Sequence, residues 1–367
     1  MDPRVEKVAE GMVNYSVAIQ PGDLVMIHLY EPLAGPLGRA VYRRVLEAGG
    51  HAIFRMAPSG SEEVLYRYAS DEQLDVPDPT FKWLMENIDV RMAIRAPSNT
   101  KALSNVDPAK IARVQAANGP IMQTFMDRQG SGEMRWVLTQ YPTQASAQDA
   151  EMSLSEYEDF VYGACMVDQP DPVAYWRQKA AEQQRLIDWL AGKDRVEVKG
   201  ENVDLTLSIK DRVFVNADGK RNFPDGEIYT GPVEESLNGW VRYTYPAIYN
   251  SREVDGVELR FEDGKVVQAT AEKGEEYLNS VLDTDPGAGY VGEFAIGTSE
   301  GIQRFTRNIL FDEKIGGTFH MAVGGGYPNT GSQNRSAVHW DMICDMRSGG
   351  EIVVDGELFY KDGTFQV

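Results

Sequence analysis

Two of the four histidines in this chain, His320 and His339, fall within one stretch, LFDEKIGGTFHMAVGGGYPNTGSQNRSAVHWDMICD, which runs from Leu310 to Asp345. His339 and Asp341 form an H-x-D pair, and in an extended strand residues two apart point to the same face. Glu313 lies upstream of His320, and Tyr327 follows it across the glycine-rich run Gly324 to Gly326. Imidazole and carboxylate together suit Zn, Mn, Fe or Co, which accept mixed nitrogen and oxygen shells. An isolated H-x-D would read as a half-buried histidine bonded to its neighbouring acid. Scarce histidines gathered beside two acids and a tyrosine favour the metal reading.

Two further acids stand in costly surroundings. Glu227 enters a strand-like run in NFPDGEIYTGP, between two turn-forming segments. Glu293 lies in VGEFAIG, flanked by glycine and apolar residues. A carboxylate in an apolar strand is expensive to bury unless it is paired or bound to a metal. Either acid alone reads as a surface-facing strand residue; the two contexts gain weight only when taken together.

The elements that must position these groups follow from periodicity. Val5 to Val17 predicts an opening helix, stopped by the turn at Pro21-Gly22-Asp23. The apolar run Leu24 to Leu29 predicts a strand buried on both faces, followed by a helix from Gly35 to Ala48 and a second strand from His51 to Met56. Pro79 to Asn87 is helix-like and Val90 to Ile94 is again a strand, an alternation that predicts parallel strands in an α/β layer. His28 and His51 sit in this layer and are assigned no chemistry. The loop after the first strand lacks G-x-G-x-x-G, so no nucleotide site is read there. A loop from Thr143 leads into an acid-rich helix start, and Asp171-Pro172 opens a long helix through Leu190. From Arg195 the pattern turns to alternation punctuated by Asp218-Gly219, Asp263-Gly264, Asp355-Gly356 and Asp362-Gly363, the chemistry of tight turns. The expected organisation is an N-terminal α/β domain over 1–192 with a mainly parallel sheet. A β-rich α+β domain over 193–367 follows and carries the metal site.

Composition excludes several classes of function. The 367 residues suffice for two domains with their own cores. A net charge of −20 argues against nucleic acid as the main partner. Two cysteines, Cys165 and Cys344, suggest neither a disulfide framework nor a thiolate zinc site. The N-terminal run is charged without an apolar core, and no stretch of about 18 apolar residues occurs, so a cytoplasmic protein with no membrane partner is expected.

The order GEIYTGP, GEFAIG, LFDEK, FHMAVGGGY and HWD, closing with GELFYKDG, resembles the M29 family of thermophilic-type metallo-aminopeptidases. A looser likeness runs through PTQASAQDAEMS, YEDF and DPVAYW in the N-terminal half. The resemblance implies that Glu227, Glu293, His320, His339 and Asp341 hold two divalent ions, of Zn, Co, Mn or Mg. It implies that Tyr327 is catalytic, and on a metal-activated water Glu293 is expected to contact metal and also to handle the proton. Glu313 matches a further acidic position near the metals, at a longer spacing before His320 than the family shows, and the loop from His320 to His339 is shorter. Peptides with a free N-terminus are the implied substrates, and a homodimer the implied assembly. The rival reading shares the fold family: a ring-cleaving dioxygenase of the 2,5-dihydroxypyridine type, with one Fe(II) held by His320, His339 and Asp341. Such a site has no need of Glu227 and Glu293. A non-enzymatic, metal-stabilised peptide-binding protein is the third reading, and an intact Tyr327 counts against it.

Overall fold

The computed structural model describes residues 2–367. The chain divides into two compact units, one formed by 1–175 and 219–224, the other by 176–218 and 225–367. The expected boundary lies at 192/193; by proximity, most of the helix Pro172–Leu190 instead falls with the second unit.

The first unit holds four parallel strands, β1 (Leu24–Leu29), β2 (His51–Met56), β3 (Val90–Arg95) and β4 (Arg135–Gln140), in the order β2-β1-β3-β4. The helix Gly35–Glu47 joins β1 to β2, as the strand–helix–strand pattern requires. The opening helix is less regular than its apolar spacing predicts. Regular α-helix spans Pro3–Glu10, with a π-helical turn over Gly11–Ser16, and Ala18 then takes a positive φ of 45°. Gly11 packs its bare backbone against the ring of Phe223, where a Cβ would have no room. Strand β4 and the helix Pro108–Gly130 before it were not read from sequence. That helix carries Gly119 and Pro120 in its middle and buries little beyond Ile121 and Phe125, so its apolar period is faint.

The second unit is β-rich. Its strands begin with β5 (Arg195–Gly200), β6 (Val203–Ser208), β7 (Val215–Ala217), β8 (Glu227–Thr230) and β9 (Asn238–Arg242). They continue as β10 (Ala247–Tyr249), β11 (Arg252–Val254), β12 (Glu258–Glu262), β13 (Lys265–Thr270) and β14 (Val291–Gly297). Last come β15 (Thr318–Gly324), β16 (His339–Asp345), β17 (Glu351–Val354), β18 (Glu357–Lys361) and β19 (Thr364–Phe365). An eight-stranded antiparallel sheet runs β13-β12-β9-β6-β5-β17-β18-β19, and a five-stranded one runs β16-β15-β14-β8-β7. Three of the Asp-Gly pairs make hairpin turns with both residues at positive φ, joining β12 to β13, β17 to β18 and β18 to β19. Asp218-Gly219 makes none; the chain passes there from the second unit into the first.

The five-stranded sheet has two unlike faces. Ile228, Phe294, Ile296, Phe319, Met321, Val323, Trp340 and Met342 point into a core shared with Val198, Leu205, Val241 and Leu259 of the eight-stranded sheet. That burial anchors the strands and leaves the alternate residues to the other face.

Candidate metal centre

The alternate residues of four neighbouring strands carry the functional side chains. Strand register sets Glu227 beside Gly297, Tyr229 beside Ala295, Ala295 beside His320, and Ala322 between Glu293 and Asp341. His339 stands beside Gly324. Alanine and glycine therefore occupy the positions between the acids and histidines, which leaves room above the sheet. A bulge at Gly292 interrupts the pairing of β14 with β15 immediately before Glu293. Bulges of this kind re-aim a side chain. A Cβ at Gly292 would overlap the carbonyl oxygens of Gly324 and Gly325, so the close approach depends on glycine.

The structure brings all six sequence-predicted acids and histidines together. His320 Nε2 lies 3.3 Å from Glu227 Oε2 and 3.6 Å from Glu293 Oε1. His339 Nε2 lies 3.3 Å from Glu293 Oε2 and 3.6 Å from Asp341 Oδ1. Two ligand atoms held about 2.1 Å from one tetrahedral ion stand about 3.4 Å apart, the spacing seen here. Three sets have ligand atoms within 4.8 Å of one another: Glu227, Glu293 and His320; Glu293, His339 and Asp341; Glu313, His320 and Asp341.

The donors fit a metal. Glu227 Oε2, Asp341 Oδ1 and both nitrogens of His320 are buried without a well-formed hydrogen bond. Such groups cost about 1–3 kcal/mol each unless something satisfies them. His339 is oriented from behind: its Nδ1 lies 2.7 Å from the carbonyl oxygen of Gly325, which leaves Nε2 toward Glu293 and Asp341. Orientation of a ligating histidine through its second nitrogen is the usual supporting arrangement.

Electrostatics in the metal-free protein point the same way. Burial opposes charge on His320, but Glu293 and Glu227 outweigh it and raise the imidazole to about 9. Burial likewise opposes charge on His339, while Asp341 and Glu293 raise it to about 10. Glu293, despite its burial, is held at about 2 by the two histidines. Burial lifts Asp341 to about 6. It also lifts Glu227 well above the usual carboxylate range, Lys314 only partly offsetting it. Protons here stand in for cations.

Tyr327 ends the glycine run, and Thr330 pins it, donating through both N–H and Oγ1 to the Tyr327 carbonyl at 3.0 and 2.6 Å. Its ring packs 5.1 Å from His339 and 5.3 Å from Tyr229. Burial of its inner part, then the charges of Glu293 and Asp341, raise the phenol well above its ordinary value, although 38% of the residue's surface stays open to water. His28 and His51 lie in the parallel sheet of the first unit and belong to none of the three sets, and His28 stacks on Tyr30. Three residues of the site escaped sequence reasoning. Tyr229 follows Glu227 by two positions on the same face; Asp225 stands in the turn-forming segment before Glu227; Lys314 follows Glu313 directly and drew no reading of its own.

The model of the thermophilic metalloproteases, M29, matches residues 1–365. The chain belongs to the M29 peptidase family. By family it is a metallo-aminopeptidase, a hydrolase acting on peptide bonds. Curated M29 relatives include aminopeptidase 2 of Geobacillus stearothermophilus, 29% identical over 89% of this chain and 84% of that protein. Aminopeptidase T of Thermus thermophilus is 28% identical over 98% of this chain and 95% of its own. The solved structure of wild-type AmpT from Thermus thermophilus shares the fold across 100% of this chain and 99% of that one, with a TM-score of 0.86 at 22% identity. A 2,5-dihydroxypyridine dioxygenase from Pseudomonas putida KT2440 is a more distant relative in fold, with a TM-score of 0.60 at 12% identity. Among the described residues no helix is long and apolar enough to cross a membrane.

Proposed function

We propose that this M29 peptidase releases N-terminal residues from peptides at a centre of two divalent ions that share Glu293. One observation carries the reading. The two oxygens of Glu293 face different histidines, Oε1 toward His320 and Oε2 toward His339, so that one carboxylate would be available to an ion on either side. Glu227 and His320 complete one ligand set, and His339 and Asp341 the other; Glu313 supplies a further acid beside His320 and Asp341. Bound ions would polarise the scissile carbonyl and lower the pKa of a water at neutral pH. Tyr327, carried to the rim by the glycine run, donates its hydroxyl hydrogen to the developing oxyanion. Glu293 takes the proton lost by the attacking water and returns it to the leaving amine. In the metal-free centre the two charged histidines hold its carboxyl at about 2. The carboxylates also favour a substrate whose terminal amine is cationic.

Zn, Co, Mn and Mg all suit this donor set to different degrees. Two buried cysteines outside any disulfide accord with a reducing, cytoplasmic setting, and family resemblance with a homodimer. The test pairs metal analysis with turnover. Two divalent ions per chain and hydrolysis of aminoacyl-p-nitroanilides, but not of their N-acetylated forms, are expected. One iron per chain, with oxygen uptake on 2,5-dihydroxypyridine, would overturn the reading in favour of the dioxygenase.

A further inference from the structure

Lys314 sits in the turn between the short helix Ile309–Asp312 and β15, and its side chain is completely buried. Lysine is almost never buried this way unless paired. Its Nζ touches Glu313 Oε1 and lies 3.8 Å from both Asp225 Oδ1 and Glu227 Oε1. The Glu227 carboxylate is thus divided: Oε1 faces a lysine, while Oε2 faces His320. Asp225, Glu227, Glu293, Glu313 and Asp341 bear five negative charges when all are ionised. Lys314 cancels one. The four that remain match two divalent ions with neutral histidines, and a buried cluster is tolerated only near such balance.

We propose that Lys314 is a fixed internal cation of the metal centre, holding Glu227 by one oxygen and limiting, through like-charge repulsion, how tightly the ion at Glu227, Glu293 and His320 is bound. This rests on the reading that those three residues hold an ion. Charges a few ångströms apart in a buried site act strongly on one another. By drawing negative charge from Glu227, the ammonium keeps that ion exchangeable and electron-poor. A lysine that merely anchors the turn would have no such effect on affinity.

The two roles differ in sign. Zinc affinity is measured on chelator-stripped, full-length protein by competition with a chromophoric chelator, with circular dichroism to check the fold. Glu227→Gln identifies which of the two binding steps belongs to this set. Lys314→Met keeps most of the length of the side chain without its charge, and should tighten that step by about tenfold or more. Lys314→Arg should leave it within about threefold. Asp225→Asn removes a negative charge beside the lysine and should weaken the same step. Opposite signs for Lys314→Met and Asp225→Asn support the proposal, because structural damage would weaken both. Weaker or unchanged zinc binding in Lys314→Met overturns it. If Lys314→Met and the smaller Lys314→Gln both fail to fold, Asp225→Asn with unchanged or tighter binding overturns it as well. Wild-type protein without a zinc step sensitive to Glu227→Gln would instead sink the metal reading itself.

Discussion

At the scale of single residues, Tyr327 separates chemistry from metal binding. No ligand atom of the three sets belongs to it, yet its ring borders His339. Phenylalanine would keep that packing and remove only the hydroxyl. In Tyr327→Phe, metal content and KM should stay near native while kcat falls by about 100-fold, as for loss of one oxyanion donor. Equal falls in kcat and kcat/KM would mark an interaction made only in the transition state. Steady-state kinetics on a peptide substrate decide it: a near-native kcat reduces Tyr327 to a packing residue.

At the scale of elements, β14 has the most demanding task. Each of its seven residues is buried, since one face meets the core and the other meets the candidate ligands. Gly292 lets the strand bulge against β15, and the bulge sets the direction of Glu293. Alanine there must push the backbone of Gly324 and Gly325 aside. Gly292→Ala should cost about 1–3 kcal/mol of stability, as overpacking usually does. It should also lower affinity for both ions, because Glu293 belongs to both sets. Denaturant melts and metal titration of one preparation test this; lost stability with unchanged binding of both ions would refute the link.

At the scale of the whole molecule, metal and proton compete. His320 and His339, raised to about 9 and 10 from an ordinary 6.5, stabilise the metal-free fold fully below pH 6.5. That contribution fades as pH rises through 9 to 10. Asp341, raised to about 6 from 3.8, acts in the same sense at lower pH. Glu293, depressed to about 2 from 4.5, acts in the opposite sense, its contribution fading only as pH falls below 4.5. Chelator-treated protein should therefore lose Tm steadily between about pH 6.5 and 10. Protein loaded with zinc should hold its Tm there, since ions replace the histidine protons and bind more tightly as pH rises. Thermal melts of both forms across that range provide the check; parallel curves would contradict the competition.

Much of this organisation is local and so legible in sequence. The run LVMIHL announces a strand buried on both faces, and three Asp-Gly pairs close hairpins because these residues tolerate positive φ. The alternation of His339, Trp340 and Asp341 already separates a ligand face from a core face, and Trp340 does pack into the core. The order of motifs likewise singled out the acids and histidines, each marked by an apolar or glycine-rich setting. Tertiary structure alone decided what those side chains meet. Strands β8, β14, β15 and β16 lie far apart in the chain, and no local period encodes that Ala322 must stand between Glu293 and Asp341. Lys314 shows the limit most clearly. A lysine next to a glutamate ordinarily faces water, and only the three-dimensional packing of Asp225, Glu227 and Glu313 around its ammonium makes burial affordable. The cost of burying a charge depends on every neighbour at once, and those neighbours are set by the fold.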